Sequence, residues 1–155
     1  MGIEIERKFL VDHDLWGKVI KPEGTHLRQG YLLNDNHQSI RVRVSDKQGY
    51  ITLKGELSGI SRKEYEYNIP VEEGNELLNI FAAPAVEKIR YCIPFDGKTW
   101  EVDEFLGDNS GLFTAEIELT YEEEEFKKPD WVGLEVSDDD KYYNSSLSLH
   151  PFKLW

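Results

Sequence analysis

Apolar and polar residues alternate in short segments that follow one another along most of the chain. In an extended segment, residues at every second position point to the same face. Turn-forming residues separate the segments, as at positions 33–38, 46–49 and 95–98, which is typical of strands joined by hairpins. We therefore predict eight antiparallel strands, at residues 2–11, 26–34, 38–46, 49–57, 61–71, 86–95, 98–106 and 113–123.

Helices are predicted in the gaps between these strands. The candidates lie at residues 13–20, 72–83 and 141–149, and the last is expected to close the fold. A chain of 155 residues has the size of one domain, so we expect a single domain over residues 1–155. The fold class is accordingly mainly β, with helices in an α+β arrangement.

Charged residues occupy one face of almost every predicted strand. Glu4, Glu6 and Lys8 are spaced two apart in the first strand, and the same spacing recurs in every later strand except the second. The set contains six bases and eight acids: Lys8, Arg41, Arg43, Lys54, Lys88 and Arg90, with Glu4, Glu6, Glu64, Glu66, Glu101, Asp103, Glu116 and Glu118. Apolar residues such as Val42 and Ile117 take the opposite face.

Two arrangements can accommodate this charged face. It can be the wet outside of a sandwich, since antiparallel sheets often bury one face only. An ordinary wet face also carries Ser, Thr, Gln and Asn, however, whereas nearly all the paired positions here are ionised. A sheet of eight strands also tends to close, which turns one residue set inward. If the charged set points inward, an eight-stranded closed antiparallel barrel encloses a charged tunnel, which must be hydrated because burying each ion dry costs several kcal/mol.

The chemistry of this tunnel indicates its ligand. Arg and Lys side chains bind phosphate oxygens, Arg as a planar fork and Lys as a point charge. Carboxylates repel phosphate unless a divalent cation lies between them, and Mg²⁺ or Mn²⁺ is typically held by carboxylates, phosphate oxygens and water. A polyphosphate with bound metal would satisfy both halves of the charged set.

Composition narrows the choice of partners. A net charge of −12 argues against nucleic acid as the main partner, because phosphate backbones require a surplus of Lys and Arg. No apolar run approaches the roughly 20 residues of a membrane span, and the N-terminal residues lack the pattern of a secretory signal. We expect a cytoplasmic protein with a small-molecule ligand and no membrane partner.

The ordered motifs resemble a known family. The pattern E-x-E-x-K appears as Glu4, Glu6 and Lys8, and "RVR", "TLK", "EYE", "EKIRY", "EVDEF" and "EIEL" follow in the order seen in the CYTH superfamily, the triphosphate tunnel metalloenzymes. This resemblance covers residues 2–143. It implies an eight-stranded barrel with outer helices and a C-terminal plug helix, and chemistry on triphosphates that depends on Mg²⁺ or Mn²⁺.

The resemblance also implies roles for individual residues. Phosphates would be bound by Lys8, Arg41, Arg43, Lys54, Lys88 and Arg90, with Lys141 added from the plug segment. The metal would be held by Glu4, Glu6, Glu116 and Glu118, with Glu64, Glu66, Glu101 and Asp103 as further ligands or as partners that position the bases. Some relatives place a Lys and a Tyr near the scissile phosphate, here Lys54 and Tyr31, although plain strand packing is the alternative for Tyr31.

The leading hypothesis is hydrolysis of inorganic triphosphate to pyrophosphate and phosphate, since the chain resembles the small bacterial inorganic triphosphatases. Catalytic roles are assigned to Glu4, Glu6, Lys8, Lys54 and Tyr31. The general base would be a carboxylate of the Glu4 and Glu6 pair or of the Glu116 and Glu118 pair, or Lys8 itself after losing its proton.

Three other functions use the same tunnel. A class IV adenylate cyclase would make cyclic AMP from ATP, and a thiamine or nucleoside triphosphatase would hydrolyse an organic triphosphate. A barrel that binds polyphosphate without turnover is the alternative outside the enzymes. The preferred triphosphate, the choice of metal and the presence of a homodimer stay open.

Overall fold

Nine β-strands provide most of the regular structure in the computed structural model, which describes residues 2–82 and 84–155. They are β1 (Gly2–Val11), β2 (Thr25–Asn34), β3 (Ser39–Val44), β4 (Gly49–Lys54), β5 (Ser61–Ile69), β6 (Val86–Phe95), β7 (Lys98–Phe105), β8 (Phe113–Glu118) and β9 (Val132–Glu135). All eight predicted strands are present, and the largest difference is at β8, which ends at Glu118. The alternation does not predict β9, because its four residues are too few to establish a period.

The sheet closes on itself to form a barrel. Its strands follow the order β5-β4-β3-β2-β6-β7-β8-β1, and β5 also pairs with β1. All of these pairings are antiparallel. The β1–β5 ladder joins residues 2–5 to residues 61–64, whereas the second half of β1 pairs with β8 and then with β9. The predicted eight-stranded closed barrel is therefore confirmed, with β9 added at its edge.

Hairpin turns fix the register of the longest ladder. Asp96 and Gly97 connect β6 to β7 with φ values of 51° and 78°, and Phe95 pairs directly with Lys98. Two successive residues with positive φ match the twist of the flanking strands, and Asp-Gly adopts this turn at little cost. The turn predicted at positions 95–98 is thus confirmed.

Three α-helices accompany the barrel: α1 (His13–Trp16), α2 (Val71–Phe81) and α3 (Asn144–Leu149). The first is shorter than the predicted 13–20, and Gly17 is its C-cap. The predicted end of the second, at Ala83, lies outside the described residues. No helix in the described part of the chain is long and apolar enough to cross a membrane.

The apolar strand faces pack on the outside of the barrel. One cluster surrounds Trp100, whose ring centroid lies 5.5 Å from that of Phe9 and 6.1 Å from that of Trp131. A second cluster joins α2 to the opposite wall, where a Cβ on Gly30 would lie only 2.9 Å from the Cβ of Ala82. Glycine at position 30 therefore allows the close approach of the α2 end to β2.

The C-terminal helix closes one end of the barrel. Leu147 of α3 packs with Val86, Phe105 and Leu112 in an apolar cluster. Val86 lies two residues from Lys88 on β6, and Phe105 lies two residues from Asp103 on β7, so these apolar side chains continue the inner face. The predicted plug helix is confirmed, although the apolar layer beneath the charges is not evident from the charged motifs.

We expect Leu147→Ala to lower the free energy of unfolding by about 2 to 5 kcal/mol, because the truncation leaves a cavity in a well-packed cluster. The measurement is urea denaturation followed by far-UV circular dichroism. Leu149→Ala is the matched control, since Leu149 is on the same helix but 72% exposed. Equal losses in the two variants would contradict the packing role of Leu147.

Candidate active site

The inner face of the barrel surrounds a polar cavity of about 500 Å³. Fourteen of the predicted site residues line it: Glu4, Glu6, Lys8, Tyr31, Arg41, Arg43, Lys54, Glu64, Glu66, Lys88, Arg90, Glu101, Glu116 and Glu118. They come from all eight strands of the closed barrel, β1 to β8. The period-two spacing therefore identified one inward face on most strands, and the barrel brings these faces together.

Glu4 forms the tightest contacts on the β1 wall. Lys54 Nζ donates to both Glu4 carboxylate oxygens at 3.0 Å and lies 3.4 Å from Glu64 Oε2. Burial opposes the ionised form of Glu4, but Lys54 still holds the pKa of Glu4 below its ordinary value. Burial, followed by the neighbouring Glu4, raises the pKa of Glu64 to about 7. One cation thus serves two carboxyl groups.

Glu6 and Glu116 form a second carboxyl pair on the adjoining strands β1 and β8. Burial and then the charges of Glu116 and Glu4 raise the pKa of Glu6 well above its ordinary value. Glu116 is also buried, but Lys8 and then Arg90 hold its pKa well below the ordinary value. Glu6 therefore keeps a proton more readily, whereas Glu116 stays ionised.

Lys8 lies between this carboxyl pair and the plug segment. Its Nζ donates to the Tyr142 carbonyl oxygen at 3.1 Å and lies 3.7 Å from Glu116 Oε1. The Lys8 backbone N–H donates to Ser137 Oγ at 3.0 Å. The segment between β9 and α3 therefore holds both the backbone and the side-chain amine of Lys8 in place.

The deepest charged group is a cluster of Lys88, Arg90 and Asp103. Lys88 Nζ donates to Asp103 Oδ2 at 2.8 Å, and Arg90 donates to both Asp103 oxygens at 2.8 and 2.9 Å. Burial lowers the pKa of Lys88 to about 7, whereas Arg90 and Lys88 hold the pKa of Asp103 below its ordinary value despite its burial. Asp103 is fully buried, and its hydrogen bonds hold Lys88 and Arg90 in position.

Arg41 and Arg43 lie on the β3 wall with one shared acid. Glu66 Oε2 is 3.8 Å from Arg41 Nη2 and 3.9 Å from Arg43 Nη2, and it accepts a hydrogen bond from Thr52 Oγ1 at 2.8 Å. Burial, followed by the charges of Arg41 and Arg90, lowers the pKa of Arg43 to about 10. These long contacts leave the guanidinium groups available to a further anion.

The remaining predicted residues lie at the edges of this site. Lys141 is not among the described residues that line the cavity. Its Nζ lies 4.6 Å from the ring centroid of Trp155, outside the barrel. The plug segment contributes Asn144 instead, whose Oδ1 accepts from Lys88 Nζ at 3.0 Å. Glu118 lines the cavity but is exposed, and Tyr31 lines it half-buried.

Arg62, Gln29 and Asn144 are among the inward residues that are absent from the predicted set. Arg62 Nε lies 3.8 Å from Glu4 Oε1, and it could have been found because it stands two residues before Glu64. Gln29 is fully buried two residues before Tyr31, so the second strand also contributes to the inner face. Asn144 lies on helix α3, so the spacing of two along a strand could not identify it.

The carboxylates provide suitable donors for a divalent cation. They supply only oxygen atoms, which suit Mg²⁺ and Mn²⁺. Glu116 Oε1 is buried without a hydrogen-bond partner among the described residues, and Glu6 is crowded by two other acids. No three His, Cys, Asp or Glu side chains of the described chain already converge as a metal cluster. The donors fit, but their convergence would require side-chain movement.

Comparison with known proteins identifies what the chain is similar to. A family model described as CYTH domain matches residues 2–149. The chain is 53% identical over 154 residues to an inorganic triphosphatase of Acetivibrio thermocellus, covering 99% of this chain and 97% of that relative. It is 38% identical over 151 residues to an inorganic triphosphatase of Nitrosomonas europaea, covering 94% and 97%. A crystal structure of an inorganic triphosphatase has a TM-score of 0.65 at 36% identity and covers 94% of each chain.

We expect Asp103→Asn to reduce the free energy of unfolding by about 3 to 5 kcal/mol, because it leaves Lys88 and Arg90 without their buried counter-charge. Chemical denaturation at pH 7 measures the loss. Glu87→Gln removes an exposed acid from the neighbouring strand and should change stability little. Similar values for both variants would contradict the importance of the buried cluster.

We expect Glu64→Gln to remove a pH-dependent loss of stability. The folded protein holds the Glu64 proton up to a pKa of about 7, above the ordinary 4.5, so this group makes the free energy of unfolding fall as pH rises between those values. In metal-free buffer, the stability of Glu64→Gln relative to the wild type should therefore rise from about pH 5 to about pH 7.

The measurement is a series of urea denaturations across this pH range. Glu76→Gln is the control, because Glu76 is an exposed acid on α2. A stability difference between Glu64→Gln and the wild type that stays constant with pH would count against the role of Glu64.

Proposed function

The chain belongs to the CYTH domain family, and we propose that it hydrolyses inorganic triphosphate to pyrophosphate and phosphate inside its barrel. The observation that carries this proposal is the convergence of seven bases, the six predicted ones and Arg62, together with carboxylates, on one cavity of about 500 Å³. Two relatives named inorganic triphosphatase are similar over nearly the whole chain, which supports the choice of substrate.

The bases would bind the phosphate groups. Arg41 and Arg43 offer planar guanidinium groups on β3, with only long contacts to Glu66. Lys8 and Lys54 add point charges from β1 and β4. Phosphoryl transfer depends mainly on positioned positive charge, because charge is spread over the phosphate oxygens in the transition state.

The carboxylates would hold the divalent cation. We propose Glu4, Glu6, Glu116 and Glu118 as candidate ligands of Mg²⁺ or Mn²⁺, since all four line the cavity. When bound, such an ion neutralises charge on the phosphate oxygens and lowers the pKa of a coordinated water. Asp103, Glu64, Glu66 and Glu101 also contact bases in the structure, and we propose them as further ligands or as partners that position those bases.

The reaction itself is an in-line displacement at a terminal phosphorus. Water attacks that phosphorus, the bond from phosphorus to the bridging oxygen breaks, and pyrophosphate leaves. A carboxylate of the Glu4 and Glu6 pair or of the Glu116 and Glu118 pair accepts the proton from water. Lys8 Nζ lies on the same wall as these acids and would stabilise the leaving oxygen. Tyr31 and Lys54 both line the cavity and are candidates for orienting the scissile phosphate.

We expect the purified protein to release phosphate and pyrophosphate in equal amounts from inorganic triphosphate when Mg²⁺ or Mn²⁺ is present. A malachite green assay with ion chromatography of the products measures this reaction, and EDTA provides the metal-free control. Cyclic AMP formed from ATP would instead support the cyclase. Tight binding of triphosphate without turnover would support a binding barrel.

A matched pair of variants connects the activity to the cavity. Arg43→Ala should lower kcat/KM by about a hundredfold, because it removes a preorganised cation from the site. Lys63→Ala also removes one positive charge, but Lys63 is exposed on β5. Full activity in Arg43→Ala would contradict catalysis in the barrel.

A further inference from the structure

Lys54 forms an ion pair with Glu4 on the wall of the tunnel. Its Nζ lies 3.0 Å from each of the two Glu4 oxygens, and both side chains are only 13% exposed. Limited exposure means that solvent screens this pair weakly. Both oxygens that Glu4 would offer to a metal are therefore engaged by the same amine.

Among the four candidate metal ligands Glu4, Glu6, Glu116 and Glu118, Glu4 has the shortest contact with a cation. Glu116 Oε1 lies 3.7 Å from Lys8 Nζ and 4.0 Å from Arg90 Nη2, and it has no hydrogen-bond partner among the described residues. Among the candidate metal ligands, Glu4 is thus the carboxylate that can bind a metal only after an internal cation has moved away from it.

The position of Lys54 also ties this contact to barrel closure. Lys54 lies on β4 and reaches past Glu64 of β5 to Glu4 of β1, at the ladder that closes the barrel. Lys54 is one of the bases that line the cavity and could bind a phosphate oxygen. The same amine therefore faces two kinds of partner, a carboxylate of the wall and an anion in the cavity.

We propose that Lys54 acts as a positioning residue that blocks Glu4 in the empty tunnel and releases it when phosphate binds, an inference that rests on the proposed function. Phosphate oxygens would draw Lys54 Nζ away from Glu4, which would free the carboxylate for the metal. Triphosphate binding would then strengthen metal binding, and linkage requires that the metal strengthen triphosphate binding by the same factor.

The test is Mn²⁺ binding to the intact protein without any phosphate, followed by the electron paramagnetic resonance signal of free Mn²⁺. In Lys54→Gln, we expect the dissociation constant for Mn²⁺ to fall by about tenfold, within the range of ordinary coupling between sites. Lys54→Arg keeps a cation that can pair with Glu4, so its Mn²⁺ affinity should stay near that of the wild type.

Two further variants separate blocking from a general loss of positive charge. Arg43→Gln removes a cation from the cavity that does not contact Glu4, and it should strengthen Mn²⁺ binding much less than Lys54→Gln. Combining Lys54→Gln with Glu4→Gln should abolish the gain, because the carboxylate being released is no longer present. Circular dichroism spectra and melting curves check that each variant is folded.

Each outcome decides the inference. A tenfold gain that requires Glu4 supports the blocking role. Equal gains in Lys54→Gln and Arg43→Gln, or an unchanged Mn²⁺ affinity in Lys54→Gln, would overturn it while leaving triphosphate hydrolysis intact. An absence of Mn²⁺ binding in every protein would overturn the candidate metal site as well. If Lys54→Gln does not fold, an Mn²⁺ affinity in Lys54→Arg clearly tighter than that of the wild type would overturn the inference, whereas an unchanged affinity would support it.

Discussion

Barrel closure is the constraint on which the rest of this structure depends. A flat sheet with this sequence would expose one strongly charged face, and acids and bases on distant strands could not meet. The β1–β5 ladder brings Glu4 within reach of Lys54, two strands away across β5. Arg41 and Arg43 repel each other within β3, and both face Glu66 of β5 across β4. Closure of the barrel therefore also brings together the opposite charges of the lumen.

Hydration changes along the tunnel and divides the charged residues by role. At the plugged end, Asp103 and Lys88 are buried beside the apolar cluster of Leu147, and they are tightly paired because an unpaired ion there is costly. Further along, Glu66 and Glu118 are exposed, and their contacts are fewer or longer. Tight, buried pairs near the plug maintain the shape of the site, whereas the groups farther from the plug are the ones that can exchange partners with a ligand.

The sequence predicted this lumen well because a strand has a period of two. Spacing alone assigns Glu4, Lys54 and Glu116 to one face, and the family resemblance turns that face inward. The same rule would have included Arg62, which stands two positions before Glu64, had every charged residue on the face been counted. It could not supply Asn144, which comes from a helix, or the position of Lys141 beside Trp155, because both depend on how the last residues pack.

The charges of the bases and acids in the lumen are not fully balanced by one another. Burial and then crowding by acids raise the pKa of Glu6, and burial and then crowding by cations lower the pKa of Arg43. A polyphosphate with its metal would supply an anion beside the arginines and a cation beside the carboxylates, so binding would relieve both kinds of repulsion. Because such a ligand binds only the closed barrel, it would also stabilise the fold by mass action. The features that make the empty tunnel electrostatically unfavourable are therefore the same features that would make it selective for a metal-bound polyanion.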